Sequence, residues 1–229
     1  MNSDITSISS NAVYSGGTGF YLENCTITAS NGIACNRVAP RNCTIIANVG
    51  VSTTTGNIIN NTINSSSHGI ESSSGNLISN NTIIAGGRGI DAGNLSVITG
   101  NTITAVDEAV YLRVGDVAYS NPLLKSTGNI AVNGSQFGDV LNNIIITTSN
   151  NAAHHGIKYG NYNPSYDSVA RGNYIEVANA SANAINSTGP TTIVYSVNNT
   201  FKGMTTPLSI ATENAQTNTT DAYGNLIIG

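Results

Sequence analysis

The sequence predicts an all-β solenoid, a single-stranded parallel β-helix of about nine or ten rungs with three short strands each. Three observations carry that expectation. A four-residue unit recurs at steps of about 18 to 20 residues. Two further tracks of short apolar segments run in phase with it. The composition is that of turns and β-branched residues, with 24 Gly and only 9% charged residues among 229.

The first track begins as Asn24-Cys25-Thr26-Ile27 and Asn42-Cys43-Thr44-Ile45. It continues through Asn60-Asn61-Thr62-Ile63, Asn80-Asn81-Thr82-Ile83 and Gly100-Asn101-Thr102-Ile103. After a gap come Asn142-Asn143-Ile144-Ile145, Gly172-Asn173-Tyr174-Ile175 and Asn198-Asn199-Thr200-Phe201. The second track pairs a small residue with an aliphatic one: Gly32-Ile33, Gly50-Val51, Gly69-Ile70, Gly89-Ile90, Ala109-Val110, Gly156-Ile157 and Ala184-Ile185. The third reads Ile58-Ile59, Leu77-Ile78 and Val97-Ile98, led by turn residues. Helical repeats are excluded by the density of Gly and β-branched residues. A leucine-rich repeat needs a Leu-x-x-Leu-x-Leu core, which the chain lacks.

Stacked rungs explain the asparagines, roughly 15% of the chain and several times the usual share. Identical side chains then lie above one another about 4.8 Å apart. An inward amide at a corner bonds its neighbours and the backbone, and Asn tolerates the left-handed conformation of a sharp turn. The ladder runs Asn61, Asn81, Asn101, Asn143, Asn173, Asn199. Alternation turns Ile27, Ile45, Ile63, Ile83 and Ile103 inward and Thr26, Thr44, Thr62, Thr82 and Thr102 outward. Cys25 and Cys43 fall on the ladder position of adjacent rungs, and Cys35 at another inward position. All three are expected to be buried free thiols. Two stretches depart from the period, near 113–140 and 147–172, and are expected to be insertions or irregular rungs. The whole chain, 1–229, reads as one domain, with 211–229 as a C-terminal cap or link.

Charge narrows the function classes. Eight Lys and Arg against twelve Asp and Glu give no basic footprint for nucleic acid. No apolar run is long enough to span a membrane as a helix. No Cys/His spacing fits zinc, and no metal or other cofactor is expected. Met1-Asn2-Ser3-Asp4 leads into repeat-like sequence without a basic, apolar leader. A rung stack needs its ends covered, so the expectation is a segment of a longer chain or a subunit capped by partners.

The few charges converge. On the Gly-Ile track, outward positions bring together His68, Glu71, Arg88, Asp91, Glu108, Tyr111, Arg113, His155 and Lys158. Glu71 and Asp91 occupy equivalent positions on neighbouring rungs, about 5 Å apart, near the spacing of a retaining glycosidase pair. Like charges that close favour protonation of one. Glu71, Asp91 and Glu108 are therefore the candidate catalytic carboxylates, with Lys158, His155 or Arg113 as bases for a lyase. Arg88 suits a carboxylate or sulfate. The tyrosines Tyr159, Tyr162 and Tyr166 lie in the second irregular stretch and are expected to stack on sugar rings. The competing expectation is a face of mutually neutralising charges.

The Asn-Thr-Ile, Gly-Ile and Gly-Asn rung resembles the repeats of right-handed parallel β-helices of the pectin-lyase-like superfamily, over roughly residues 11 to 210. It is most similar to bacteriophage tailspike or tail-fibre domains. The resemblance implies a right-handed coil, recognition of a polysaccharide or host surface glycan with or without depolymerase activity, and a virion or extracellular setting. It also implies a homotrimer or a place in a larger viral assembly, with the Thr-rich face as a contact. A stand-alone polysaccharide lyase or glycoside hydrolase, and a structural spacer of a fibre, are the alternatives.

Overall fold

In the computed structural model the chain is a parallel β-solenoid of about nine turns. The structure describes residues 3–16, 19–134, 138–160, 168–187, 194–210 and 225–228. Every strand pairing among them is parallel, and they contain no helix. Each turn contributes one strand to each of three sheets. The first strands are long enough to wrap corners: Cys25–Arg41 passes through all three sheets. Later turns break into short strands such as Thr82–Ala85, Ile90–Asp91 and Val97–Thr99.

Three apolar ladders fill the interior. The first stacks Ile27, Ile45, Ile63, Ile83, Ile103, Leu124, Ile145, Ile175 and Phe201 in register. The second stacks Ile33, Val51, Ile70, Ile90, Val110, Val132, Ile157, Ile185 and Leu208. The third carries Ile58, Ile78, Ile98, Ala118, Val140 and Ala170. All are buried, and each large aliphatic side chain contributes about 1.5–3 kcal/mol by leaving water. The Gly before the second ladder is required by close packing. A Cβ on Gly69 would lie 2.5 Å from both Ile83 Cγ2 and the Gly89 carbonyl oxygen.

The corner before the first sheet is held by the asparagine ladder, which runs Asn61, Asn81, Asn101, Asn121, Asn143, Asn173, Asn199 and Asn225. Asn81 shows the pattern. Its backbone N–H and its Nδ2 both donate to Asn101 Oδ1, at 2.9 and 3.0 Å, and Nδ2 also donates to the Ile58 carbonyl at 2.8 Å. Its Oδ1 accepts from the Asn61 N–H and Nδ2, so this one side chain satisfies four buried backbone or amide groups. The residue before the ladder turns the corner in the left-handed region: Asn24, Asn42, Asn60, Asn80, Ser120, Asn142 and Asn198 have φ between 51° and 57°, and Gly100 and Gly172 have 67° and 66°. Cys25 and Cys43 hold the ladder column on the first turns, where the Cys43 N–H donates to Asn61 Oδ1 at 3.0 Å. All three cysteines are buried and free, as expected.

One expectation needs correction. Residues 113–140 are not an insertion. Asp116–Tyr119, Leu123–Ser126, Val132–Gly134 and Gly138–Leu141 continue all three sheets in register. Pro122 adds one residue between the ladder Asn121 and the strand, and Ser120 takes the left-handed corner, so the Asn-Asn-Thr-Ile pattern is lost while the rung remains. In 147–172 the stack also persists, as Ile157–Tyr159 and Ser168–Arg171. The extra length there lies in 148–156 and in 161–167, and the latter is outside the described residues. Most of the expected C-terminal cap, 211–224 and 229, is outside them too.

The ladder makes a direct prediction. Asn101→Ala leaves the Asn81 N–H and the Ile78 carbonyl without their side-chain partner, and is expected to cost roughly 3 kcal/mol or more. Thr82→Ala, on the exposed side of the same sheet, is expected to change stability by no more than about 0.5 kcal/mol. Urea unfolding followed by circular dichroism measures both.

Candidate functional site

The outward column of the Gly-Ile sheet reads, rung by rung, Tyr14, Ala34, Ser52, Glu71, Asp91, Tyr111, Asn133, Lys158, Asn186, Ser209. Sheet alternation selects these positions, since the inward neighbours Ile70, Ile90, Val110 and Ile157 are buried. A second column enters from the preceding corner and carries His68, Arg88, Glu108 and His155. The face therefore gathers the predicted charged residues, with long side chains of the corner column reaching across the strand column.

Arg88 is the centre. Its Nε donates to Glu108 Oε2 at 3.0 Å and its Nη1 to Asp91 Oδ2 at 2.8 Å. Arg113 Nη2 donates to the other Asp91 oxygen at 3.0 Å. Asn133 Nδ2 donates to Glu108 Oε1 at 3.2 Å. The Tyr111 ring lies under both guanidiniums, 4.3 Å from Arg88 Cζ and 5.7 Å from Arg113 Cζ, an arrangement favourable to a cation over the ring face. Burial opposes the charge on Arg88, but the hydrogen bonds and charges of Glu108 and then Asp91 outweigh it and hold the guanidinium above its ordinary pKa. One rung earlier, His68 Nδ1 meets Glu71 Oε1 at 2.7 Å.

The geometry gives the two paired carboxylates separate partners. Glu71 and Asp91 are in register on neighbouring strands, yet each turns to its own partner within its turn, Glu71 to His68 and Asp91 to Arg88. Glu108 lies mostly buried, its side chain only 8% exposed, beneath Arg88 and Asn133. Both oxygens of Asp91 and of Glu108 are taken.

Beyond the cluster, His155 is half-buried, and the Asn183 N–H donates to its Nδ1 at 3.0 Å. Burial, then the charges of Lys158 and His154, lower its pKa and favour the neutral ring with its proton on Nε2. His154 Nδ1 meets Ser149 Oγ at 2.6 Å. Lys158 lies on the outward column between Asn133 and Asn186.

Tyr159 does not offer a stacking face. Alternation after the inward Ile157 and outward Lys158 turns it into the core, where it is 1% exposed. Its neighbour on the rung before is Gly134, where an added Cβ would lie 2.9 Å from the Tyr159 ring. Burial, and then the Asp139 charge, raise its phenol pKa. Tyr162 and Tyr166 lie outside the described residues.

Two residues of this face and one buried beside it escape sequence reasoning. Asn133 was hidden with its rung. Tyr14 precedes the regular repeats, yet pairs in register with Ala34 and is 73% exposed. Asp116 is fully buried at the next corner, accepting the Ser96 N–H at 2.8 Å and the Arg113 N–H at 2.6 Å. It thereby fixes the turn from which Arg113 leaves the strand, and is a positioning residue. Its signal was the column Asn76, Ser96, Asp116 at steps of 20 residues.

No group of three or more His, Cys, Asp or Glu among the described residues is placed to hold a metal ion. No helix among them is long and apolar enough to cross a membrane. Comparison with known proteins yields no family model, no curated relative and no solved structure that matches the chain.

Burial raises the Asp116 pKa from 3.8 to about 6, against the two backbone hydrogen bonds and the Arg113 charge. The folded state therefore binds this proton more tightly than the unfolded chain. The contribution is complete below about pH 4 and lost as pH rises through about 6, roughly 3 kcal/mol in all. Urea titrations of the parent and Asp116→Asn at pH 4, 5, 6 and 7 measure it. The difference between the two chains is expected to shift in favour of the variant by that amount across the window.

Proposed function

We propose that the Gly-Ile face is a glycan-binding surface that recognises acidic polysaccharide, in a β-solenoid domain of the bacteriophage tailspike or tail-fibre kind. The observation that carries this reading is the Arg88, Tyr111, Arg113 cluster. A ring packed against two guanidiniums is rigid and preorganised, and combines a flat apolar surface with fixed donors. Arg113 is about half exposed, and its fork matches a uronate carboxylate or a sulfate. Lys158 lies two rungs further along the same column, so a chain running along the solenoid axis meets both cations.

The carboxylates support binding over cleavage. Asp91 and Glu108 are each engaged by arginine, and Glu71 by the His68 ring. That arrangement orients the arginines more readily than it supplies the acid and nucleophile of a retaining hydrolase.

The viral setting rests on composition and fold class: sparse charge, rungs of Asn, Ser, Thr and Gly, and a regular parallel stack. The proposed homotrimer contact is the Thr-rich sheet. Its outward positions through Thr26, Thr44, Thr62 and Thr82 are uncharged, and Ile46, Ile84 and Ile144 are exposed on it. Exposed isoleucines on a flat sheet favour burial against another surface.

Binding of the full chain to an array of purified capsular, O-antigen and plant polysaccharides, with reducing-end release measured in parallel, tests the reading. Retention of acidic polysaccharides is expected. Arg113→Ala weakens it about tenfold and raised salt weakens it further. Release of reducing ends that Glu71→Gln and Asp91→Asn abolish would establish the hydrolase instead. Light scattering is expected to give three times the monomer mass, and a clean monomer would remove the trimer.

A further inference from the structure

The outward column has a gap in it. Between Tyr14 and Glu71 stand only Ala34 and Ser52, so two of the shortest side chains separate two long ones. Three rung steps span roughly 14 Å. The result is a depression on the face, not a flat stretch. One part, about 220 Å³, is walled by Tyr14 and floored by Ala34 and Ser52. The adjoining part, about 190 Å³, shares that floor and reaches Glu71, with Asn31 along its side.

The lining chemistry is different from that of the arginine cluster. Asn31, Asn36 and Ser52 offer amide and hydroxyl groups, and none carries charge. Asn36 donates through Nδ2 to the Gly16 carbonyl at 2.8 Å, which holds its amide in a fixed plane. Tyr14 stands at one end as an exposed aromatic wall. Glu71 closes the other end and is already occupied by His68. An exposed ring face beside neutral hydrogen-bonding groups suits a ligand with an apolar face and many hydroxyls. It offers no cation to a carboxylate or a sulfate.

We propose that this notch is a subsite for an uncharged pyranose ring, two rungs from the cationic part of the same face. The inference rests on the glycan-binding reading and gives it a polarity. Along the solenoid axis the ligand places a neutral sugar at the Tyr14 end and an acidic group toward Arg113. Polysaccharides with repeats that alternate neutral and acidic sugars are then the substrate class, and polymers of uronate alone fill only part of the site.

The test uses the full chain against the array of purified polysaccharides of known repeat, comparing parent, Tyr14→Ala, Ser52→Gln and Arg113→Ala. Retained polysaccharides are expected to carry an uncharged sugar within each repeat. Tyr14→Ala removes the wall and Ser52→Gln fills the floor, and each is expected to weaken retention about tenfold. Ser52→Gln probes the notch without touching the first strand, so the proposal stays falsifiable if Tyr14→Ala fails to fold. Retention unchanged in Ser52→Gln and in folded Tyr14→Ala, with loss in Arg113→Ala, overturns the subsite and leaves the glycan-binding face standing. Strongest retention of polymers of uronate alone also overturns it. Retention of no polysaccharide overturns the subsite together with the reading it rests on.

Discussion

The asparagine ladder is the interaction on which the rest of the structure depends. A coil with a turn every 20 or so residues must bend its backbone sharply, and each bend leaves N–H and carbonyl groups facing inward where water cannot reach. At this corner one amide side chain per turn meets them, through the Asn81 to Asn101 bonds and their repeats along eight asparagines. The bonds run along the stack, so each rung fixes the height and rotation of the next. The left-handed residue just before each ladder asparagine completes the geometry. Without both, the parallel strands would still pair, but the corner that sets Ile63, Ile83 and Ile103 above one another would lose the side-chain bonds that link its rungs.

Register in turn determines the chemistry of the outer surface. Because every rung repeats the same path, a residue's place within its rung decides its neighbours on the adjacent rungs. Arg88 meets Asp91 three residues on in the chain and Glu108 twenty residues on. Both meetings follow from one stacking rule. The same rule places Tyr111 under two guanidiniums and leaves a hollow where Ala34 and Ser52 follow one another. A face built this way is rigid, and its variation in side-chain length is its only relief. Binding to such a face costs little ordering of the protein, which suits recognition of a repeating polymer lying along the axis.

Much of this was legible in the residues. The Asn-Thr-Ile and Gly-Ile tracks gave the fold class, the inward ladders and the charged face, because period and alternation are properties of the chain alone. What they missed was also physical. Pro122 displaced one strand by a residue and disguised a complete rung, together with Asn121 and Asn133. Tyr159 falls in an irregular stretch where the period gives no facing, although strict alternation from Ile157 places it inside. Glu71 and Asp91 were correctly put side by side, but spacing cannot say which partner a flexible carboxylate chooses. Nor does period reveal a depression, since that depends on the sizes of successive side chains in one column. Asp116 needed its own column, Asn76 and Ser96, to be recognised as inward.

Amide hydrogen exchange tests the central claim most directly. The backbone N–H groups of Asn61, Asn81, Asn101, Asn121 and Asn143 each donate to the side-chain oxygen of the next rung. If the ladder holds the coil together, they are among the slowest to exchange in the protein, slower than the strand amides that follow them, and Asn101→Ala accelerates its neighbours on both sides. Ladder amides that exchange as fast as those of exposed turns, while the strand amides remain protected, would contradict it.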